Sequence, residues 1–289
     1  MNYFIAAAAL KAASANAWTR SAYRAATLLK SGPRKALVQE ALWCLDGLPA
    51  ERQRVLDLGT GWAHVLCVFC ALLRDDELDA FDSEDVRNWR SFRATVPIIR
   101  DQVLSLPLDR EARHTAEHRA DLLLKASNFD DAYRIIGMRY HCLACGQPDF
   151  PEGTFDRIMS VDVLEHVDAD IFPSAAGTWY RILKLGGQFV AQVGLDDHLA
   201  FNEGRFGSKR YLRYSKRTWR MLIGNSVQYI NRLTASEIVE LLTDAGFSIE
   251  SIETDSSGDT APEEVHDDYR YQSEADIRAV RLMLRARKN

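Results

Sequence analysis

The 289-residue chain predicts an α/β protein: a largely parallel sheet with helices on both faces. Short apolar runs alternate with stretches of helical spacing along most of its length. A glycine turn, Gly59-Thr60-Gly61, directly follows the first of those runs. The content of 47% hydrophobic and 27% charged residues is enough to bury a large core. In such a sheet, ligands lie at the carboxyl ends of the strands.

Residues 1–50 read as a basic helical arm. No acid precedes Glu40, while Lys11, Arg20, Arg24, Lys30, Arg34 and Lys35 are cationic, alanine is abundant, and Gly32-Pro33 interrupts the helix. A helix face packed on the domain is the plain role for this arm, and a membrane-surface or transit segment is the alternative. Residues 51–289 read as one domain. Arg54 to Leu58 is its first strand, and Trp62 to Leu73 a helix with Val65, Phe69, Leu72 and Leu73 on one face. Leu78 to Phe81 is the second strand, ending at Asp82. Residues 84–130 form a helical insertion, with Trp89, Phe92, Val96 and Ile99 in register, suited to a lid or a homodimer surface. Arg134 to Tyr140 is the third strand and Phe155 to Val161 the fourth. Ile171 to Leu183 is a helix ended by Gly186-Gly187, and Gln188 to Val193 the fifth strand. Ala235 to Ala245 is a helix stopped by Gly246, and Phe247 to Glu253 and Ala279 to Ala286 are late strands.

A net charge of -5 argues against a chain coated in nucleic acid. No run of about 18 apolar residues is present, so no transmembrane segment is expected. Five cysteines, an odd number without the spacing of a small secreted domain, favour reduced thiols and a cytoplasmic location. Residues 205–220 carry seven cations among aromatic rings, whereas 248–269 carry eight acids and no cation, in a mobile connection able to pair with that basic stretch.

Glycines directly after a buried strand let the backbone approach a nucleotide-like ligand where a Cβ would collide. Gly59-x-Gly61 with Asp82 about 20 residues on also fits a dinucleotide fold. His64, however, stands where the third glycine of that fingerprint belongs, and Asp57 would repel a pyrophosphate. Asp57 would suit an ammonium group instead, and S-adenosylmethionine offers an ammonium, a sulfonium and a ribose diol without a phosphate.

Val55 to Trp62, Asp82, Phe155 to Val167 and Leu183 to Gly187 resemble successive motifs of class I S-adenosylmethionine-dependent methyltransferases, covering roughly residues 50–195. The resemblance implies a Rossmann-like, mostly parallel seven-stranded sheet whose last strand is antiparallel. It implies that Asp57, Gly59, Thr60 and Gly61 face the methionine part, that Asp82 takes both ribose hydroxyls, and that Ser160, Val161 and Asp162 border the cofactor. Adenine would fall to backbone groups or to Cys142–Cys145. His166 reads as a satisfied structural histidine.

Beyond the fifth strand, the Asp196-Asp197-His198 element and Asn231-Arg232-Leu233 are similar to a branch of the class tied to bacterial polysaccharide or secondary-metabolite pathways. Methyl transfer to a hydroxyl needs a proton acceptor; His198, with Asp196 or Asp197 orienting it, is the candidate. Asn225, Tyr229, Asn231 and Arg232 are candidate acceptor contacts. No metal is expected: adjacent carboxylates on an extended segment point to opposite faces, and Cys67/Cys70 lie in an apolar helix. The reaction expected is O-methylation of a small-molecule or saccharide-like acceptor. The alternatives are an RNA methyltransferase using residues 205–220 and a catalytically silent cofactor-binding partner.

Overall fold

A computed structural model describes residues 2–30, 38–203, 208–256 and 264–289. The expected break at Gly32-Pro33, the first part of the basic stretch and the middle of the acidic one lie outside the described residues. Seven strands form one sheet in the order β3-β2-β1-β4-β5-β7-β6. They are β1 (Arg54–Leu58), β2 (Glu77–Asp82), β3 (Met138–Cys142), β4 (Phe155–Val161), β5 (Leu183–Gly194), β6 (Ser248–Ser256) and β7 (Ala279–Arg287). β1 pairs in parallel with β2 and β4, and β2 with β3. β7 is antiparallel to β5, because Gly186 and Gly187 exchange hydrogen bonds with Lys288 whereas Leu195 donates to Val280. Helices cover both faces, as the strand and helix alternation requires.

The chain forms two compact units. The first comprises Met1–Leu29, Asp162–Gly177 and Ala191–Arg285; the second comprises Lys30–Val161, Thr178–Val190 and Ala286–Asn289. In the second unit, α4 (Val65–Leu73) is apolar all round and nearly every residue is buried, so it is a core helix. It packs with α5 (Trp89–Leu104) and α6 (Arg110–Lys125), which fill the stretch between β2 and β3 together with α7 (Phe129–Ile136). Asn88, Asp109 and Asn128 cap α5, α6 and α7 through side-chain oxygens that accept a backbone N–H of the first turn. Arg157, 1% exposed, donates to the carbonyls of Cys44 at 2.7 Å and Asp46 at 2.8 Å, tying β4 to α3 (Val38–Leu45) and the turn after it.

In the first unit, α1 (Tyr3–Ala13) buries Tyr3, Ala6, Ala7 and Leu10 with Tyr211, Trp219, Ile223 and Tyr269. α2 (Ala17–Lys30) follows it. Residues 216–223 are helical, with α9 (Lys216–Thr218) running into a wide turn over Trp219–Ile223. α10 (Ala235–Asp244) begins with a reciprocal capping box between Thr234 and Glu237, and α11 (Glu274–Arg278) precedes β7.

Three boundaries differ from the sequence reading. Arg134–Ile136 are the last turn of α7, not the third strand: Asn128 and two acids start the helix, and Gly137 at φ 65° ends it. The first βα helix begins at Val65 rather than Trp62, after Gly61 and His64 at φ 65° and 47°. Gly186-Gly187 does not stop α8 (Phe172–Ile182) but lies inside β5. A Cβ on Gly187 would stand 2.9 Å from the Lys184 carbonyl oxygen and 3.1 Å from that of Phe155, so close backbone approach explains this glycine.

Candidate active site

In the second unit, β1 delivers the chain to a turn at Gly59, which takes φ 78°. The N–H groups of Gly59 and Thr60 both donate to the Phe81 carbonyl, at 2.8 and 3.2 Å, binding this turn to the end of β2. Gly61 donates its N–H to Asp82 Oδ2 at 2.9 Å. A Cβ at Gly61 would meet nothing within 4 Å, so the space over the turn is open, and it is the left-handed backbone that calls for glycine. Burial pushes the Asp82 carboxyl up to about 7; the Gly61 N–H opposes the rise and Asp57, Asp85 and Glu84 add to it. Among the described residues, Oδ1 of Asp82 has no hydrogen-bond partner.

Asp57, 2% exposed, is bonded inward: the Cys67 thiol donates to its Oδ2 at 3.5 Å, and burial raises its carboxyl to about 6. Ser160 is fully buried, and its hydroxyl donates to the Leu58 carbonyl at 3.3 Å. Among the described residues, Asp57 is therefore bonded to α4 and Ser160 to the end of β1. Thr60 is nearly buried and its hydroxyl pairs with His64 Nδ1 at 3.0 Å. His64, wholly buried, also meets the Tyr133 hydroxyl at 2.9 Å, amid Phe92, Phe129 and Tyr140; burial drops its pKa to about 3 and keeps it neutral. Its left-handed backbone is unusual for a side chain of this size, and only the structure identifies its role in fixing the turn. Val161 ends β4 half-buried, and Cys142 and Cys145 are exposed.

In the first unit, the chain after β4 turns at Asp162, φ 56°. The Asp162 N–H donates to the Gln192 carbonyl at 3.0 Å, and the Gln192 side-chain amide donates to Asp162 Oδ1 at 3.2 Å. Glu165 and His166 follow, and His198 comes from the segment after β5. One ligand-type atom from each of these three lies within 4.8 Å of the others. Burial is the main cause of a His198 pKa near 4, with His166 lowering it further, and burial also lowers His166; both rings are neutral near pH 7. Burial holds the Glu165 carboxyl well above the usual range.

Asp197 does not orient His198, contrary to the sequence reading. Its Oδ2 accepts from the Tyr3 hydroxyl at 2.7 Å and its Oδ1 from the Leu199 N–H at 3.0 Å; the rings beside His198 are His166 and Phe201, each with centroids 5.2 Å away.

The four candidate acceptor residues all line one cavity of about 820 Å³, with Trp219, Tyr269 and Tyr271 contributing aromatic surface and Lys11 and Glu237 charge. Asn225 accepts from the Gln228 N–H at 2.7 Å, an internal turn. The Tyr229 hydroxyl accepts from Ala169 N–H at 3.4 Å, and its carbonyl accepts from His166 Nδ1 at 2.6 Å. Asn231 is also bonded within the protein: its amide donates to the carbonyls of Leu164 at 2.7 Å and Val167 at 3.0 Å, and its oxygen accepts from Leu233 N–H at 3.0 Å. Arg232, at φ 62°, donates to the Tyr269 hydroxyl at 2.5 Å and lies 5.1 Å from the Trp219 ring centroid.

Part of the basic stretch is engaged within the protein, while Lys216, Arg217 and Arg220 are exposed. Lys209 is buried and donates to the Asp276 carbonyl at 2.7 Å, Arg210 pairs with Glu203 at 2.7 Å, and Arg213 faces Glu264 at 3.8 Å. Among the described residues, no helix is long and apolar enough to cross a membrane.

A family described as methyltransferase domain matches residues 23–252. A solved S-adenosylmethionine-dependent methyltransferase from Methanosarcina mazei is similar at 14% identity, with 89% of this chain and 98% of that one covered and a TM-score of 0.48. Another from Mesorhizobium loti is 18% identical, with 86% and 97% covered and a TM-score of 0.47. Phosphoethanolamine N-methyltransferase 2 of Haemonchus contortus is 17% identical, with 87% and 52% covered and a TM-score of 0.48. No curated protein matches the sequence.

Proposed function

The chain belongs to the methyltransferase domain family and is a class I S-adenosylmethionine-dependent methyltransferase, and from that premise we propose that it O-methylates a small, saccharide-like acceptor. The observation that carries the acceptor class is the cavity of about 820 Å³ in the first unit. Aromatic faces at Trp219, Tyr269 and Tyr271 suit the C–H faces of a sugar ring, and Asn225, Tyr229 and Arg232 supply donors and acceptors for its hydroxyls.

When bound, S-adenosylmethionine supplies an electrophilic methyl group on its sulfonium. Open space over Gly61 and the unshared Oδ1 of Asp82 fit its ribose diol, while Gly59, Thr60 and Gly61 shape the turn and Asp57 braces it. Val161 and Asp162 follow on at the end of β4, where Asp162 is held by Gln192. His198 is the group that takes the proton of the acceptor hydroxyl. A ring with a pKa near 4 is a weak base, but the hydroxyl becomes strongly acidic as the new C–O bond forms, so a neutral imidazole suffices.

Engagement of Lys209, Arg210 and Arg213 within the protein weighs against phosphate-backbone binding. Labelled S-adenosylmethionine, offered with sugars, polyols, amines and RNA, tests the reading. A methoxy product by NMR is expected, with turnover reduced in His198→Ala and cofactor affinity retained. Transfer only to an amine or to RNA would refute it.

A further inference from the structure

We propose that Glu165, His166 and His198 form a binding site for a divalent first-row transition-metal ion. A carboxylate oxygen and two imidazole nitrogens lie within 4.8 Å of one another. Ligands about 2.0–2.2 Å from an ion stand roughly 3–4 Å apart, so side-chain rotation of about an ångström closes the set.

Two observations beyond proximity point to a cation. Glu165 is only 3% exposed, yet neither of its carboxylate oxygens makes a well-formed hydrogen bond among the described residues; the nearest donors are the backbone N–H groups of Glu165 itself and Gly194. A buried carboxylate in that condition is costly, and a bound cation would offset the cost. Gly194 preserves the room for it, because a Cβ there would stand 3.1 Å from Glu165 Oε1. The second observation is the orientation of His166. Its Nδ1 lies 2.6 Å from the Tyr229 carbonyl, which can only accept, so the ring proton sits on Nδ1 and the Nε2 lone pair is free to coordinate.

Asp162, fixed by Gln192, adds negative charge near both rings. Two imidazoles and one carboxylate suit Mn2+, Fe2+, Co2+ or Zn2+ over Mg2+ and Ca2+, which prefer all-oxygen surroundings. Three protein ligands leave coordination positions for water or an acceptor oxygen. The site goes beyond the acceptor class and does not depend on it; with the ion bound, His198 would serve as a ligand and metal-bound hydroxide, in place of its lone pair, would take the acceptor proton.

Chelator-treated protein titrated with Mn2+, with free Mn2+ followed by electron paramagnetic resonance, tests the proposal. One ion per chain is expected, displaced by Zn2+, with affinity reduced about tenfold or more in Glu165→Gln and His198→Asn. His166→Gln provides a third variant should either of these fail to fold by circular dichroism. No binding at millimolar Mn2+ or Zn2+ overturns the site, as does binding that survives unchanged in folded variants. S-adenosylhomocysteine binding in the same samples separates the two readings: a chain that binds it but no metal refutes the ion site alone.

Discussion

Replacing Asp82 with asparagine separates two effects that one carboxylate combines. The amide oxygen can still accept the Gly61 N–H, so the turn survives, but the charge is gone. Burial raises this carboxyl from 3.8 to about 7. At about 1.4 kcal/mol per pH unit, that rise sets an upper bound of about 4 kcal/mol, and about 2 kcal/mol after discounting for partial solvent access. A carboxyl raised in the folded state adds stability below its unfolded pKa and loses it as pH rises through about 7. Ligand-free Asp82→Asn should therefore melt about 4–8 °C above the parent at alkaline pH and converge with it in acid. Ribose hydroxyls donate to the ionised form, so parent affinity for S-adenosylhomocysteine should fall as pH drops through 7. The variant should bind more weakly by about 1–3 kcal/mol with little pH dependence. Melting scans and calorimetry across pH check both. Coincident melting at every pH would refute the burial argument, and unchanged affinity would refute the ribose assignment.

Gly187→Ala places a Cβ against backbone oxygens of Lys184 and Phe155 and should cost about 2 kcal/mol or more in chemical denaturation. Asn231→Ala leaves the Leu164 and Val167 carbonyls without their donor; a loss of about 2–3 kcal/mol with a matching fall in turnover is expected, because those carbonyls flank Glu165 and His166.

Local signals were sufficient for the parallel sheet, the glycine turn after β1 and the acid closing β2, since each depends on residues adjacent in sequence. They failed where a partner comes from far along the chain. Ile135-Ile136 beside Tyr140 looked like a strand until Asn128 and Gly137 were seen to bound a helix. The bonds from Asn231 to Leu164 and Val167 could not be read from spacing, because those residues are distant in sequence. His166 looked merely structural, and its hydrogen bond to the Tyr229 carbonyl is indeed structural; what spacing could not show was His198 arriving beside it.

The tie between Tyr3 and Asp197 joins the first helix to the segment that carries His198, and Tyr3→Phe tests whether that link matters to the proposed acceptor site. Burial lifts the Asp197 carboxyl to about 6, and the Tyr3 hydroxyl, donating at 2.7 Å, is the main group opposing that rise. Without it, the buried carboxylate keeps the Leu199 N–H and its folded pKa climbs further. A raised carboxyl stabilises below its unfolded pKa and ceases to do so as pH rises through the folded value, so the cost of the variant should grow above pH 6. Losing a hydrogen bond to a buried charge is worth about 1.5–3 kcal/mol, expected at pH 8 and smaller at pH 5. Denaturation at the two pH values measures it. Turnover should fall because His198 follows Asp197 directly, while S-adenosylhomocysteine affinity is the control and should hold. An equal cost at both pH values, or unaltered turnover, would mean that α1 is packing alone.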